Sequence, residues 1–421
     1  MLLIIFARLN GGLTMNIREL RNMFPALSRT VYGKQLVYFD NAATAQRPQS
    51  VIDKWTQLTI GANANIHRAV HKLAVDATDE YESTRDAVKE YINAAAREEI
   101  VFTSGTTGSI NLVAFSFGET FVNKGDEIIV SESEHHSNIV PWQMLCQRKD
   151  AVLRVLHVDE DGHLNLEELK SLLNPKTRIV AVTQISNVLG ILNPVKEIVS
   201  VCHSVGCPVL IDGAQGMVHE GVDVQDVDCD FYAFSGHKLY AATGTGVLYG
   251  KRKWLDQMVP YQGGGEMIAT VRFSGTTYAP LPEKFEAGTQ NINAIPTLEP
   301  AIEMLKLMKD KELLNAQEAV SQYLFHALTS NPRIRLYGVP RGTETKIPLF
   351  SFSVEGAHHE DLALILDKMG IAVRSGQMCA EPLMDRFGVT GMLRASLAPY
   401  NTIEEAEYFI KSLDKAIAML V

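Results

Sequence analysis

Between Glu99 and Tyr249 the sequence alternates short apolar runs with stretches of helical period, and this alternation restricts the chain to few folds. The runs are Glu99–Thr103, Glu127–Ser131, Arg178–Thr183, Pro208–Ile211, Phe231–Phe234 and Gly246–Tyr249, with helical stretches such as Asn165–Leu173 and Lys196–Val205 between several of them. Strand, helix, strand in repetition argues for an α/β fold whose mainly parallel sheet is covered on both faces. The crossovers should be right-handed, and ligands should sit at the carboxyl ends of the strands.

A second regime begins near Thr297. Helical patterns over Leu298–Ser330, Glu360–Met369 and Glu404–Leu420 surround strand-like runs at Leu349–Val354, Ala372–Arg374 and Leu393–Ala398. This predicts a smaller α+β domain, completed by an N-terminal helix over Ile17–Met23. The expected organisation is therefore a segment 15–35 joining the small domain, a large domain 36–296 and a small domain 297–421. Residues 1–14 are expected to be an extension, with Met15 the natural start of the fold. The apolar stretch Met1–Leu9 is shorter than the roughly 20 residues a membrane helix needs, and lacks the basic lead of a signal peptide.

Composition removes several function classes. With 39 basic against 49 acidic side chains the formal net charge is −10, which disfavours electrostatic binding of nucleic acid. Five cysteines, an odd number, do not read as a disulfide framework. Cys202 and Cys207 have no second cysteine or histidine pair to complete a zinc set, so no metal is expected. The balance points to an enzyme of a reducing, cytoplasmic compartment.

Four segments could carry chemistry. Ser235-Gly236-His237-Lys238 follows the run Phe231–Phe234, and a lysine just beyond a buried strand can serve as a Schiff-base amine once desolvation lowers its pKa. Taken alone, such a lysine is more often a surface charge. Val209-Leu210-Ile211-Asp212 puts a carboxylate at the end of an apolar strand, dull by itself. Beside a Schiff-base lysine, however, it is the acid that keeps the ring nitrogen of pyridoxal phosphate (PLP) protonated. Thr103-Ser104-Gly105-Thr106-Thr107-Gly108 leads from a strand into a helical run, where small residues, hydroxyls and a helix N-terminus suit an anion. Such clusters usually mark plain turns. Glu134-His135-His136-Ser137-Asn138 offers imidazoles for zinc, for stacking on a flat cofactor, or for nothing beyond loop polarity.

Together these segments resemble the fold-type I PLP enzymes, and more narrowly the class V aminotransferase group. The run Arg374-Ser375-Gly376-Gln377-Met378-Cys379-Ala380-Glu381-Pro382, followed by Leu393-Arg394-Ala395-Ser396, is similar to the cysteine loop and downstream arginine of group II cysteine desulfurases, the Suf-type and Csd-type enzymes. The resemblance extends from Met15 to Val421. It includes Asp40-Asn41-Ala42-Ala43-Thr44, Asn65-Ile66-His67-Arg68, Ser186-Asn187-Val188 and Glu286-Ala287-Gly288-Thr289.

The resemblance implies a fold-type I transferase that converts L-cysteine to L-alanine and a persulfide on Cys379, supplying sulfur for iron–sulfur clusters. It implies that Lys238 holds PLP as a Schiff base and later moves the substrate α-proton. By the same resemblance Asp212 pairs with the ring nitrogen, Gln215 reaches the ring hydroxyl, and His135 stacks on the ring and joins the catalytic set. Thr107, Ser235 and His237 hold the phosphate, with Thr289 supplied by the other subunit of a homodimer. Arg394 and Asn187 grip the substrate carboxylate, Arg374 orients the cysteine loop or the substrate, and His67 and Arg68 stand at the active-site mouth. The implied partner is a small sulfur-acceptor protein of the Suf/Csd type. Cys146, Cys202, Cys207 and Cys229 are expected to be packing residues.

Three positions depart from the family pattern: Gly108 stands where Glu is usual, Met378 where His precedes the cysteine, and Ala241-Ala242 where Gly-Pro is common. Two other functions fit the same scaffold, namely a selenocysteine lyase and a PLP-binding scaffold of sulfur trafficking with little turnover. Selenium leaves more readily, so lyase activity would depend less on Cys379.

Overall fold

The computed structural model describes residues 15–341 and 346–421; the extension expected over residues 1–14 lies outside them. Seven strands form the large sheet: β1 Ile100–Thr103, β2 Glu127–Ser131, β3 Val152–Leu156, β4 Thr177–Thr183, β5 Val209–Asp212, β6 Phe231–Ser235 and β7 Gly246–Gly250. Their spatial order is β1-β7-β6-β5-β4-β2-β3. The strands β3, β2, β4, β5 and β6 pair in parallel, and β7 runs antiparallel to both of its neighbours. This is the mainly parallel α/β sheet the alternating pattern predicts.

The apolar runs are continuous because both faces of the sheet are covered. Side chains alternate between two cores: Val180, Val182, Val209, Ile211, Tyr232 and Phe234 enter one, while Ile179, Ala181, Leu210, Phe231 and Ala233 enter the other. The first face is closed by helices Lys72–Tyr91, Val195–His203 and Leu298–Met308. The second is closed by Thr106–Phe121 and Val140–Lys149. The sequence pattern missed β3, an edge strand whose residues are mostly exposed, so it lacks the uninterrupted apolar signature of the central strands.

A second sheet holds β8 Ile334–Tyr337, β9 Leu349–Val354, β10 Arg374–Gly376 and β11 Met392–Ser396, in the antiparallel order β8-β9-β11-β10. Helices Lys311–Ser330, His359–Lys368 and Ile403–Leu420 pack over it. The helix expected over Leu298–Ser330 is two helices. The Asp310 side chain caps the second, accepting from the Glu312 N–H at 2.9 Å. The first, Leu298–Met308, packs in the core of the large sheet, so the chain passes toward the second sheet at the Lys309–Asp310 break rather than at Thr297. The N-terminal segment touches both halves: Phe24 lies 5.9 Å from the Tyr240 ring and 4.7 Å from that of Tyr400. Val37–Tyr38 then pairs in parallel with Ile371–Ala372.

Candidate active site

The carboxyl ends of the parallel strands converge on a cavity of about 250 Å³. Asp212 ends β5 and Ser235 ends β6, with Lys238 three residues beyond Ser235 in the turn that follows. His135 follows β2 in the 3₁₀ turn that His136–Asn138 closes. The second sheet supplies Arg394 from β11 and Cys379 from the loop after β10. Thr107, Asn187, Gln215, His237 and Arg374 also border this cavity. A larger groove of about 840 Å³, bordered by Tyr91, Asn193 and Lys309, holds none of the residues singled out in the sequence.

Electrostatics at the floor are set by burial. Desolvation lowers the Lys238 amine to about 8; Arg394 adds to this, and Asp212 and Cys379 oppose it. Asp212 is 3% exposed, and burial raises its pKa against the opposing Ala214 N–H, which donates to Oδ1 at 2.9 Å, and the Lys238 charge. Burial lowers His135 to about 4, with Lys238, His136 and Arg394 contributing. The Ser137 N–H donates to His135 Nδ1 at 3.1 Å, which fixes the ring's orientation. His237 falls to about 4 for the same leading reason, and its Nδ1 lies 3.2 Å from Thr44 Oγ1. Both imidazoles are therefore neutral at pH 7.

A cofactor with a phosphate finds matching groups. The helix Thr106–Phe121 begins at Gly105 without a side-chain cap, leaving first-turn N–H groups for an anion. Ser235 Oγ accepts from the Thr106 N–H at 2.8 Å and lies 2.8 Å from Thr106 Oγ1. Gly105 has φ +143°, and a Cβ at Gly246 would stand 2.3 Å from Gly105 Cα, so both positions demand glycine for this close approach. The Gln215 amide donates to Ala42 O at 2.8 Å, which holds its side chain at the cavity wall. At the other end, the Arg394 guanidinium is 3% exposed. It donates to Asn187 O at 2.8 Å and to Asp40 Oδ1 at 3.3 Å, while its buried Nε has no partner among the described residues. An anion cradle at one end and an unsatisfied guanidinium at the other fit PLP and an amino-acid carboxylate.

The cysteines divide sharply. Cys146, Cys202, Cys207 and Cys229 are buried and Cys379 is exposed. Burial raises all four buried thiols, Cys202 to about 12. Cys379 and Met378 both adopt left-handed backbone, with φ +56° and +54°, a conformation costing about 1–3 kcal/mol per non-glycine residue. The surroundings hold it there. Met378 is 5% exposed among Val188, Leu189, Ile191 and Leu383, Asn187 Nδ2 donates to Met378 O at 2.8 Å, and the His136 N–H donates to Cys379 O at 2.7 Å. Methionine at the usual histidine position is thus an apolar peg for the cysteine loop. Gly108 has a simple local cause as well: a Cβ there would lie 2.8 Å from Ser104 Oγ.

Three residues expected at the site do not reach this cavity within one chain. His67 Nε2 lies 3.1 Å from Glu82 Oε1 and its Nδ1 3.4 Å from Glu266 Oε1. Arg68 Nε pairs with Glu266 Oε2 at 2.5 Å. Thr289 is exposed and borders a separate cavity with Ser104, Gly108 and Glu286. Carboxylates outside the cavity hold the first two. The sequence reading named Asp40, Glu134 and Thr106 inside motifs but gave none of them a role of its own. Burial raises the Glu134 carboxyl to about 8, and it accepts from the Thr183 N–H at 2.8 Å and from Asn138 Nδ2 at 2.7 Å. The signal for Glu134 was an acid directly after an apolar strand. Asp40 carried no local signal, since its partner Arg394 is remote in sequence.

Known proteins resemble this chain in sequence and fold. A cysteine desulfurase of Pectobacterium carotovorum subsp. carotovorum is 45% identical over 405 residues, covering 96% of this chain and 98% of that protein. The crystal structure of the cysteine desulfurase CsdA from Escherichia coli, in an S-sulfonic acid form, aligns with TM-score 0.87 and 38% identity, covering 97% of this chain and all of the other. The apo structure of a cysteine desulfurase from Thermococcus onnurineus NA1 aligns with TM-score 0.90 and 34% identity over 97% of this chain. The Aminotransferase class-V profile matches residues 37–409, and the chain belongs to that family.

Proposed function

We propose that this protein is a cysteine desulfurase that moves the sulfur of L-cysteine onto Cys379 and releases L-alanine. The observation that carries the reading is the one exposed cysteine among five, held on a pegged loop beside Lys238, Asp212 and His135. PLP, when bound, withdraws electrons from the substrate's α-carbon and so weakens its bonds. In this reading Lys238 would hold the cofactor and its amine would move the substrate α-proton; an amine lowered to about 8 can both give and take a proton near neutrality. Asp212 keeps positive charge on the ring nitrogen, Gln215 meets the ring hydroxyl, and neutral His135 covers the ring face. Thr107, Ser235, His237 and the N–H groups after Gly105 hold the phosphate. Arg394 receives the substrate carboxylate through its free edge, with Asn187 beside it, and Arg374 turns the substrate or the cysteine loop toward the cavity.

The thiolate of Cys379 attacks the substrate sulfur. The new S–S bond forms as the substrate's Cβ–S bond breaks, and Cβ takes a proton to become the methyl group of alanine. One thiol and cysteine give one persulfide and alanine, with no external oxidant or reductant. A small sulfur-acceptor protein of the Suf/Csd type then removes the sulfur for iron–sulfur cluster assembly in the cytoplasm. No helix among the described residues is long and apolar enough to cross a membrane. Thr289 completes the phosphate site of a second copy in a homodimer, which accounts for its distance from its own cavity, and His67 and Arg68 stand at that shared mouth. The chain acts as a large cofactor-binding unit that includes the helix Leu298–Met308, and a small unit after Lys309–Asp310 that carries the nucleophile.

The test is incubation with L-cysteine, quantification of alanine, and mass spectrometry of the Cys379 peptide for one added sulfur atom. An adduct on another cysteine would overturn the mechanism. Cys379→Ala should abolish turnover of cysteine; retained turnover of selenocysteine in that variant would establish the lyase activity.

A further inference from the structure

His136 has no role in the chemistry above, yet together with Asn187 it grips the loop that carries the nucleophile. Its backbone N–H donates to Cys379 O at 2.7 Å, and its ring Nε2 accepts from the Glu381 N–H at 3.0 Å. These two bonds bracket Ala380, a fully buried residue, so one residue holds the loop on both sides of that point. On the far side of His135, Glu134 is tied to β4 through the Thr183 N–H. Three consecutive side chains thus serve three surfaces: Glu134 the sheet, His135 the cavity and His136 the cysteine loop.

We propose that His136 is a positioning residue for Cys379, which sets the thiol's place relative to the cofactor ring that His135 covers. The left-handed pair Met378-Cys379 would relax toward ordinary backbone if released. The peg at Met378 and the Asn187 bond hold the loop before the thiol, and His136 holds it at and after the thiol. Because His135 and His136 are adjacent, the ring face and the nucleophile are registered by one short rigid turn. The inference rests on the desulfurase reading for its kinetic consequence, but not for the clamp itself.

His136→Phe keeps the ring's shape and the backbone bond but removes the acceptor, whereas His136→Gln returns an acceptor. In the cofactor-loaded enzyme, hydrogen exchange of the peptide spanning residues 377–384 should quicken in His136→Phe and return toward the parent in His136→Gln. Single-turnover persulfide formation on Cys379 should fall about tenfold or more in His136→Phe, since an ångström-scale misplacement costs on the order of 10²-fold, and recover most of that in His136→Gln. Cofactor absorbance and the KM for cysteine should stay near parent values. Unchanged exchange in His136→Phe would overturn the clamp, and faster exchange with an unchanged persulfide rate would overturn the positioning role. Equal slowing in both variants would also overturn it. If the parent enzyme forms no alanine, the desulfurase reading fails while the exchange comparison still decides the clamp.

Discussion

Replacing Arg394 by Met should remove the grip on the substrate carboxylate while leaving the cofactor in place. Two of the guanidinium's contacts are already used, by Asn187 O and Asp40 Oδ1, which leaves Nε and the remaining N–H groups for the ligand. Two hydrogen bonds to a charged partner contribute about 1.5–3 kcal/mol each, so their loss raises the barrier from free substrate by roughly 3–6 kcal/mol. At about 1.4 kcal/mol per factor of ten, kcat/KM should fall between about 10² and 10⁴. A second effect pushes in the same direction. Asp40 loses its counter-charge and stands near the incoming carboxylate. Burial already raises its pKa, so it keeps its proton to higher pH than an ordinary carboxyl, and the repulsion grows as that proton is lost with rising pH. The defect should therefore deepen with increasing pH, and the double variant Arg394→Met, Asp40→Asn should recover the repulsive part. Initial rates of alanine formation against cysteine concentration, at several pH values, measure both effects, with cofactor absorbance as the control for integrity. A kcat/KM within about fivefold of the parent would refute the assignment of Arg394.

In the cofactor-free protein, Lys238 should become reactive toward an aldehyde as pH rises through about 8, because only the unprotonated amine attacks. A midpoint near the ordinary lysine value of about 10.4, followed by mass spectrometry of the modified peptide, would refute that. Glu286→Gln should destabilise the fold, because Arg85, whose side chain is 1% exposed, loses the carboxylate held at 2.7 Å and keeps only that of Glu82 at 3.0 Å. Losing one charged hydrogen-bond partner while a second remains costs about 1.5–3 kcal/mol. At roughly 2.1 cal/mol/K per residue over 421 residues this lowers Tm by about 2–3 °C, and an unchanged calorimetric Tm would contradict it. Met378→His puts a polar ring among Val188, Leu189 and Ile191, at an expected cost of about 1–3 kcal/mol. It should make Cys379 persulfide formation no faster than in the parent; a faster single-turnover rate would show that the imidazole helps the chemistry more than the peg helps the loop.

The central strands were legible because both of their faces are buried, so their apolar runs are continuous, and Leu349–Val354 was read to the residue. β3 escaped because an exposed edge leaves no such run. The helix break at Lys309–Asp310 escaped because apolar residues continue at helical spacing across it, while the signal that divides it is one capping aspartate. At the site, residues whose role depends on their own segment were readable: Lys238 after β6, Asp212 ending β5 and the anion loop before Thr106. Asp40 meets Arg394 across nearly the whole chain, and His136 meets Glu381 across two sheets. Neither contact leaves a local trace. Resemblance supplied the site positions of His67, Arg68 and Thr289, but no reasoning about one chain could place them in a cavity they do not reach alone.

The parallel pairing of Val37–Tyr38 with Ile371–Ala372, and the bond from Asp40 to Arg394, join segments as much as 354 positions apart. During synthesis the N-terminal residues therefore emerge long before their partners exist. Arg394 and the strand that carries it leave the ribosome long after Asp40. Closing so long a loop is slow, and the early segment must stay unpaired or find a transient cover until then. The consequence is one of timing: the large sheet can pair its strands before the second sheet exists, while the cavity that Cys379 and Arg394 line comes into being only after residue 394 has been made.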